Sequence, residues 1–363
     1  MSGPTLVPYK GFFPSLGARG AFADSATAIG RVSLGADVSL GPLATLRADG
    51  EHIDIGDGSQ LLDRSTVHIS HGLLPSKVGR GVTVGRYALV HACTIADDCI
   101  LCDGAVVMDG STVGPGAVIA AGTLVPPRKT LDGGWLYAGN PAKPVREITA
   151  TEREQFRAAV LDGRQDGDYL ACTLPPLSMT PYRADLAGSG PLFALAGGEP
   201  KIHEATFVAP NAVVAGDVSV GAQGSIWFAT VMRAEGAAIR VGERSNIQDN
   251  TIMVASPEAG AIDIGADVTV GHNVRMGACR VGDGCLIGMG CEMMDGVTVE
   301  DGAMVGARAF VEPGTVVKKG TIWAGRPARE FRAVKPEEQR FFGLGKTVYV
   351  GYAGDYLNQA AAR

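Results

Sequence analysis

Aliphatic side chains recur at every sixth position through two long stretches of the chain. An α-helix would repeat at about 3.6 residues and an amphipathic strand at about 2. A six-residue period instead predicts short strands that form the sides of a solenoid, so that each coil buries its aliphatic row on the next. In the first stretch the recurring residues are Leu34, Leu40, Leu46, Val78, Val84 and Val90, then, after one five-residue step, Ile95, Leu101, Val107, Val113, Ile119 and Val125.

The same pattern returns 186 positions later, without a gap between about residue 22 and residue 146 of the first copy. The repeat resembles the hexapeptide repeat of the left-handed parallel β-helix. We therefore predict a mainly β protein with two tandem left-handed parallel β-helix domains, each followed by an α-helix. The pairs that fix the offset are Arg47 with Arg233, Cys93 with Cys279, Asp109 with Asp295, and Pro141 with Pro327.

Helix and linker signals set the expected domain boundaries at 1–171 and 201–363. In the first copy, Thr151 and Glu154 have the spacing of a capping box, and in the second Pro336 suits a first helical turn. Residues 172–200 are rich in Pro, Gly and Ala and are expected to form the connector.

Composition excludes several classes of protein. The net charge is −6 and the basic residues do not cluster, which argues against a nucleic-acid partner. The sequence has neither an apolar run of membrane-spanning length nor a secretory signal, so no membrane partner is expected. The seven cysteines are odd in number and most lie in apolar runs, which favours reduced thiols and a cytoplasmic location.

Three motifs of the second copy resemble those of the gamma-class carbonic anhydrase family. They are Val-Met-Arg-Ala-Glu at 231–235, Ser-Asn-Ile-Gln-Asp at 245–249 and Val-Gly-His at 270–272. The resemblance covers about residues 22–165 and 201–345. It implies an assembly, typically a trimer, in which three histidines bind a metal at each interface, two of them from one subunit and the third from its neighbour.

Neither copy keeps a complete set of these ligands. By the family register, copy one has His68 and His91, whereas copy two has Val254 and Gly277 at the same positions. The remaining family histidine is His272 in copy two and Arg86 in copy one, and the family glutamine is Gln248 in copy two and Leu62 in copy one.

The repeat also predicts where these residues lie. If 69–77 is a loop, then 67, 78, 84 and 90 fall on successive sides of a coil, and His68 stacks on His91 at about 5 Å. Leu62 and Arg86 share the adjacent edge. We therefore predict one metal site per chain, built from His68, His91 and His272 where unlike copies meet. Zinc is the expected metal, with iron or cobalt possible.

Such a site would supply a metal-bound hydroxide at neutral pH for carbon dioxide hydration or for a repurposed hydrolysis. The resemblance implies that Gln248 binds the hydroxide or the substrate. It also places Arg47 and Asp49, and Arg233 and Glu235, at family Arg and Asp positions that form interface ion pairs.

Two other functions stay open from the sequence. Hexapeptide acyltransferases share this fold and act on acyl-CoA, and relatives that lose ligands serve as non-catalytic assembly or binding modules. The expected partners are a small-molecule substrate and further copies of the chain, in a homo-oligomer with contacts between unlike domains.

Overall fold

The computed structural model describes residues 4–163, 190–195 and 197–361. The chain divides into two compact units, Met1–Arg164 and Gln165–Arg363, called here the first and the second unit. Each unit is a left-handed parallel β-helix, as predicted. None of the described helices is long and apolar enough to cross a membrane.

The first unit consists of short strands followed by one helix. Its elements are β1 (Thr5–Val7), β2 (Ala21–Phe22), β3 (Thr27–Leu34), β4 (Ser39–Leu40), β5 (Thr45–Ile55), β6 (Gln60–Leu61), β7 (Thr66–His68), β8 (Ser76–Val78), β9 (Thr83–Val84), β10 (Leu89–His91), β11 (Thr94–Ile95), β12 (Ile100–Leu101), β13 (Val106–Val107), β14 (Thr112–Val113), β15 (Val118–Ile119), β16 (Leu124–Val125), β17 (Thr130–Leu131), β18 (Trp135–Ala138), β19 (Lys143–Glu147) and α1 (Ala150–Asp162).

The second unit has a similar order with one additional strand, β21 (Lys201–Ile202). Its elements are β20 (Leu192–Phe193), β21 (Lys201–Ile202), β22 (Phe207–Val208), β23 (Val213–Val220), β24 (Ser225–Ile226), β25 (Val231–Val241), β26 (Asn246–Ile247), β27 (Ile252–Ala255), β28 (Ile262–Ile264), β29 (Thr269–Val270), β30 (Arg275–Met276), β31 (Cys279–Val281), β32 (Leu286–Ile287), β33 (Glu292–Met293), β34 (Val297–Val299), β35 (Met304–Val305), β36 (Phe310–Val311), β37 (Val316–Val317), β38 (Thr321–Gly325), β39 (Ala328–Ala333) and α2 (Pro336–Ala361).

Three rows of parallel strands form the sides of the first unit. One row contains β7, β10, β13 and β16, the second contains β8, β11, β14 and β17, and the long strands β3 and β5 contribute to both. The third row runs from β2 to β18 and ends at the antiparallel strand β19. The predicted hexads form the core, because Val67, Val90 and Val107 lie in register on successive coils and are fully buried.

Glycine is required where two coils approach most closely. Gly30 has a φ of 71°, and a Cβ there would lie 2.3 Å from the carbonyl oxygen of Ala48. The equivalent Gly216 has a φ of 84°, and its Cβ would lie 1.7 Å from the carbonyl oxygen of Ala234. Both positions admit only glycine, which has no Cβ and tolerates a positive φ.

The start of α1 differs from the prediction by two residues. The N-cap is Thr149 rather than Thr151, and the capping box closes on Glu152 rather than Glu154. Both spacings satisfy the motif, but Thr149 still has the extended backbone (φ −80°, ψ 163°) that an N-cap takes, so the first helical residue is Ala150.

In the second unit α2 begins at Pro336, as expected from its fixed φ. Tyr356 of this helix is buried, and its ring stacks on that of Phe207 with the ring centroids 4.9 Å apart.

Most of the predicted connector also lies outside the described residues, since these exclude 172–189 and 196. The rest of it includes β20, which pairs in parallel with β23 of the second unit. Leu192 and Phe193 of this strand are buried. The boundaries at 171 and 201 remain a prediction.

Candidate metal centre

His68 and His91 form a stacked pair on one edge of the first unit, the paired-histidine edge. They face each other in register on β7 and β10, as the hexad pattern predicts. His68 Nδ1 lies 3.2 Å from His91 Nε2, and both side chains are buried. Two nitrogens bound tetrahedrally to one zinc ion, each at about 2.05 Å, would lie about 3.3 Å apart, so the pair already has the spacing of two metal ligands.

The outer nitrogen of each imidazole in this pair faces a carboxylate. His68 Nε2 lies 3.4 Å from Asp49 Oδ1, and His91 Nδ1 lies 2.7 Å from Asp109 Oδ1. When each outer N–H donates to its carboxylate, the two facing nitrogens, His68 Nδ1 and His91 Nε2, present lone pairs. Such carboxylates orient the imidazoles of metal sites and make them more basic.

Asp109 is held in its ionised form despite its burial. Burial opposes ionisation, but the interactions with His91 and a hydrogen bond from Ser70 outweigh it, so the pKa of the carboxyl lies below its usual value. The carboxylate can therefore accept a hydrogen bond from the Nδ1–H of His91 at neutral pH.

His272 and Gln248 lie on one edge of the second unit, the single-histidine edge. His272 is fully buried, and its Nδ1 lies 2.9 Å from Asp249 Oδ2. Asp249 is itself fixed, because its Oδ1 accepts a hydrogen bond from the backbone N–H of Phe228. Because Asp249 faces Nδ1, Nε2 is the candidate ligand atom of His272, as it is in His91.

The Gln248 amide is oriented by a short chain of hydrogen bonds. Its Nε2 donates to Asn246 Oδ1 at 3.1 Å, and Asn246 Nδ2 donates to Thr269 Oγ1 at 2.9 Å. This leaves Gln248 Oε1 as a buried acceptor without a hydrogen-bond partner within the described residues. A buried acceptor of this kind costs free energy unless a ligand or water donates to it.

The first unit has neither a histidine nor a glutamine at the positions equivalent to His272 and Gln248. Arg86 replaces the histidine, and its Nη1 donates to the carbonyl of Val160 in the last turn of α1, at 2.8 Å. Leu62 replaces the glutamine and packs against an apolar cluster that includes Val160. Burial raises the pKa of Asp63, which stands where the second unit has Asp249. In the first unit, Leu62 and Arg86 therefore contact α1 and provide no metal ligand.

The two predicted Arg–acid pairs form, in contrasting surroundings. Arg47 Nη1 contacts Asp49 Oδ2, and both side chains are fully buried. Arg233 Nη2 lies 2.6 Å from Glu235 Oε2, but these side chains are 26% and 51% exposed. Arg47 lies opposite His68 in the strand register. Arg233 lies opposite Val254, the residue that stands at the position of His68 in the second unit.

Three supporting residues were not predicted. Asp249 lies within a quoted motif, but its contact with His272 was missed, as were those of Asp109 and Ser70. The spacing carries a signal, since Asp249 precedes His272 by 23 positions, as His68 precedes His91. Asp109 follows His91 by 18 positions, the length of one coil of three hexads.

The fold and these edges define a β-helix protein with buried, carboxylate-supported histidines, of which His68, His91 and His272 are candidate metal ligands. No protein-family model matches the chain. The chain is 39% identical to protein YrdA of Escherichia coli strain K12 over 158 residues, 42% of this chain and 86% of that protein.

A second relative is the mitochondrial gamma carbonic anhydrase 3 of Arabidopsis thaliana. It is 42% identical over 199 residues, which cover 53% of this chain and 76% of that protein. The chain belongs to the gamma carbonic anhydrase family. A crystal structure from Desulfovibrio desulfuricans G20, described as an acetyltransferase, covers 97% of this chain and 82% of its own with a TM-score of 0.50. Its identity of 13% supports the fold alone.

Proposed function

We propose that the chain is a metal-dependent enzyme of gamma carbonic anhydrase type, in which His68, His91 and His272 together hold one metal ion. The carboxylate beside each histidine carries this proposal, because Asp49, Asp109 and Asp249 each lie within 3.4 Å of one imidazole nitrogen and leave the other nitrogen for a ligand. Three neutral nitrogen donors suit zinc, and also iron or cobalt.

The complementary losses support a single site shared by the units. The first unit keeps two ligands and has turned its third position, Arg86, toward α1. The second unit keeps His272 with Gln248 and has Val254 and Gly277 at the other two positions. Random loss of the metal ligands from two units without function would rarely leave one complementary set of ligands.

A zinc ion with three histidine ligands and an open position supplies hydroxide at neutral pH by lowering the pKa of bound water to about 7. Gln248 Oε1, a buried acceptor, would take a hydrogen bond from the attacking water or from a protonated product. Asp109 would accept a hydrogen bond from the Nδ1–H of His91, which leaves the lone pair of His91 Nε2 for the metal. Carbon dioxide is the first substrate to test, since a named relative is a gamma carbonic anhydrase.

The metal content of the purified full chain, measured by elemental analysis beside carbon dioxide hydration in a stopped-flow assay, tests this function. We expect about one metal ion per chain and hydration activity that chelation removes and zinc restores. Two ions per chain would contradict the shared site. No metal would favour a non-catalytic module, and acyl transfer from acyl-CoA without metal would favour the acyltransferase alternative.

Gln248→Ala is expected to lower kcat/KM about 100-fold, on the scale of losing one positioned hydrogen-bonding group, with the metal retained. Kinetics and metal content are measured on the same preparation. Gln60→Ala is the matched control, because Gln60, on β6 of the first unit, also has a buried Oε1 without a hydrogen-bond partner within the described residues and is not part of the proposed site. Equal activity of the two variants would show that Gln248 is a structural residue.

The oligomer and the location belong to the same proposal. We propose that unlike units pair, within a chain or between two chains, since only such a pairing unites the two edges. The six described cysteines are free thiols and are buried, which fits a reducing compartment such as the cytoplasm.

A further inference from the structure

One turn of the second unit, residues 227–230, is bonded directly to the single-histidine edge. The backbone N–H of Phe228 donates to Asp249 Oδ1 at 3.0 Å. Thr230 Oγ1 donates to the backbone carbonyl of Gln248 at 2.8 Å. The 227–230 turn therefore holds both Gln248 and the carboxylate that faces the candidate ligand of this edge.

The 227–230 turn is in turn held by the helix α2. Tyr349, Tyr352 and Tyr356 are spaced three and four positions apart, so they lie on one face of α2. Each of these rings packs edge-on against Trp227, with ring centroids 5.2, 6.2 and 5.7 Å apart. Tyr356 also packs against Phe228, at 5.8 Å. All these side chains are buried, and aromatic pairs at such distances are favourable beyond the area they bury.

The equivalent turn of the first unit cannot make these contacts. Its residues 41–44 read Gly-Pro-Leu-Ala, where the second unit has Trp-Phe-Ala-Thr. Pro42 has no N–H to donate, and Ala44 has no hydroxyl. The backbone frame is nevertheless shared, since Arg64 N donates to the Pro42 carbonyl at 2.9 Å and the equivalent bond of the second unit has the same length. The support is thus present in the unit with the single histidine and the glutamine, and absent from the unit with neither.

We propose that the 227–230 turn positions the single-histidine edge, and that α2, docked on this turn, keeps it in place. Asp249, which the turn holds, has its Oδ2 2.9 Å from His272 Nδ1. Residues that orient a ligand's carboxylate influence metal affinity as well as geometry. The inference rests on the proposed function and assigns α2 a positioning role in it.

The first test measures the zinc dissociation constant of the full chain by competition with a chelator of known affinity. Tyr356→Leu removes the ring that contacts Trp227 and Phe228, and Thr230→Val removes the hydroxyl with little change of shape. We expect each variant to raise the dissociation constant about ten-fold, on the scale of losing a residue that supports a ligand. Tyr356→Phe keeps the ring and should bind zinc as the wild type does. Circular dichroism checks that each variant keeps the fold.

Two variants are matched controls for these changes. Thr206→Val removes another buried hydroxyl of the second unit, whose Oγ1 donates to the Gly221 carbonyl at 2.7 Å rather than to Gln248. Phe156→Leu removes a ring of α1 that packs in the same apolar cluster as Leu62, on the equivalent edge of the first unit. Both should leave the dissociation constant unchanged. A control that weakens zinc binding as much as its counterpart would show general destabilisation and overturn the inference.

The second test needs no metal. Because Asp249 faces Nδ1 of His272, the proton of the neutral imidazole is favoured on that nitrogen. Nitrogen-15 NMR of the metal-free full chain, above the ordinary pKa of histidine, reports the tautomer, and the signal is assigned by its absence from His272→Ala. We expect the Nδ1–H tautomer in the wild type and in Tyr356→Phe, and a mixture of tautomers in Tyr356→Leu and Thr230→Val.

The inference is overturned if either Tyr356→Leu or Thr230→Val leaves both the dissociation constant and the tautomer unchanged, because the route from α2 to the edge is then broken. Zinc binding by the wild type and equally by both variants, with one tautomer throughout, would refute this inference alone. If the wild type binds no zinc, the proposed function fails, and the tautomer in the metal-free chain decides whether α2 positions His272.

Discussion

His272→Ala is expected to abolish metal binding, although His68 and His91 lie in the other unit. In the proposed site His272 supplies one of three ligands. Loss of a supporting residue alone commonly weakens metal binding by about 10–100-fold, and loss of a ligand should exceed that. We expect the variant to purify without metal and without hydration activity, as measured by elemental analysis and stopped-flow kinetics.

His68→Ala should have the same effect, and His203→Ala is the matched control. His203 is an exposed histidine of the second unit whose Nδ1 accepts only a local hydrogen bond from Ala205 N in the described structure. If metal stays bound in His272→Ala and is lost in His68→Ala, the site is confined to the first unit. If both variants keep the metal, the three histidines are not its ligands.

The histidine pair is the part of the site that the sequence predicts best. The hexad period assigns each residue to a side of a coil, and one inserted loop between 69 and 77 sets the register. His68 and His91 then have to meet, and they do so on β7 and β10. Register in a solenoid depends only on counting residues, which is why this contact is visible without a structure.

Contacts made by the helices cannot be predicted by counting residues along the repeat. Arg86 reaches the carbonyl of Val160, 74 positions further on, because α1 ends where its last carbonyls need donors. The sequence shows a cation at a ligand position but not the direction in which its long side chain turns. The start of α1 was also ambiguous, since Thr149 and Thr151 both precede a glutamate by three positions.

The loss of ligands in the second unit extends beyond the two histidines. A Cβ on Gly277 would lie 2.1 Å from Asp295 Oδ1, and that oxygen accepts a hydrogen bond from Ala278 N. The equivalent Asp109 instead faces His91 Nδ1. The Asp295 carboxylate thus occupies the space that a side chain at position 277 would need. Only glycine fits at position 277 without a shift of this carboxylate.

Asp49→Asn is expected to lower the free energy of unfolding of the first unit by about 3–5 kcal/mol, because it removes the carboxylate from a fully buried Arg47. Glu235→Gln makes the equivalent change in the second unit, where the pair is partly exposed and the cost should stay below about 1 kcal/mol.

Urea unfolding followed by fluorescence and circular dichroism measures both shifts in the same protein background. The duplication makes this comparison sharp, since Arg47 and Arg233 hold the same place in two copies of one fold and differ mainly in burial. Equal shifts in the two variants would show that burial of the first pair adds nothing to its strength. A large shift in Asp49→Asn with metal retained would separate the structural role of this carboxylate from its contact with His68.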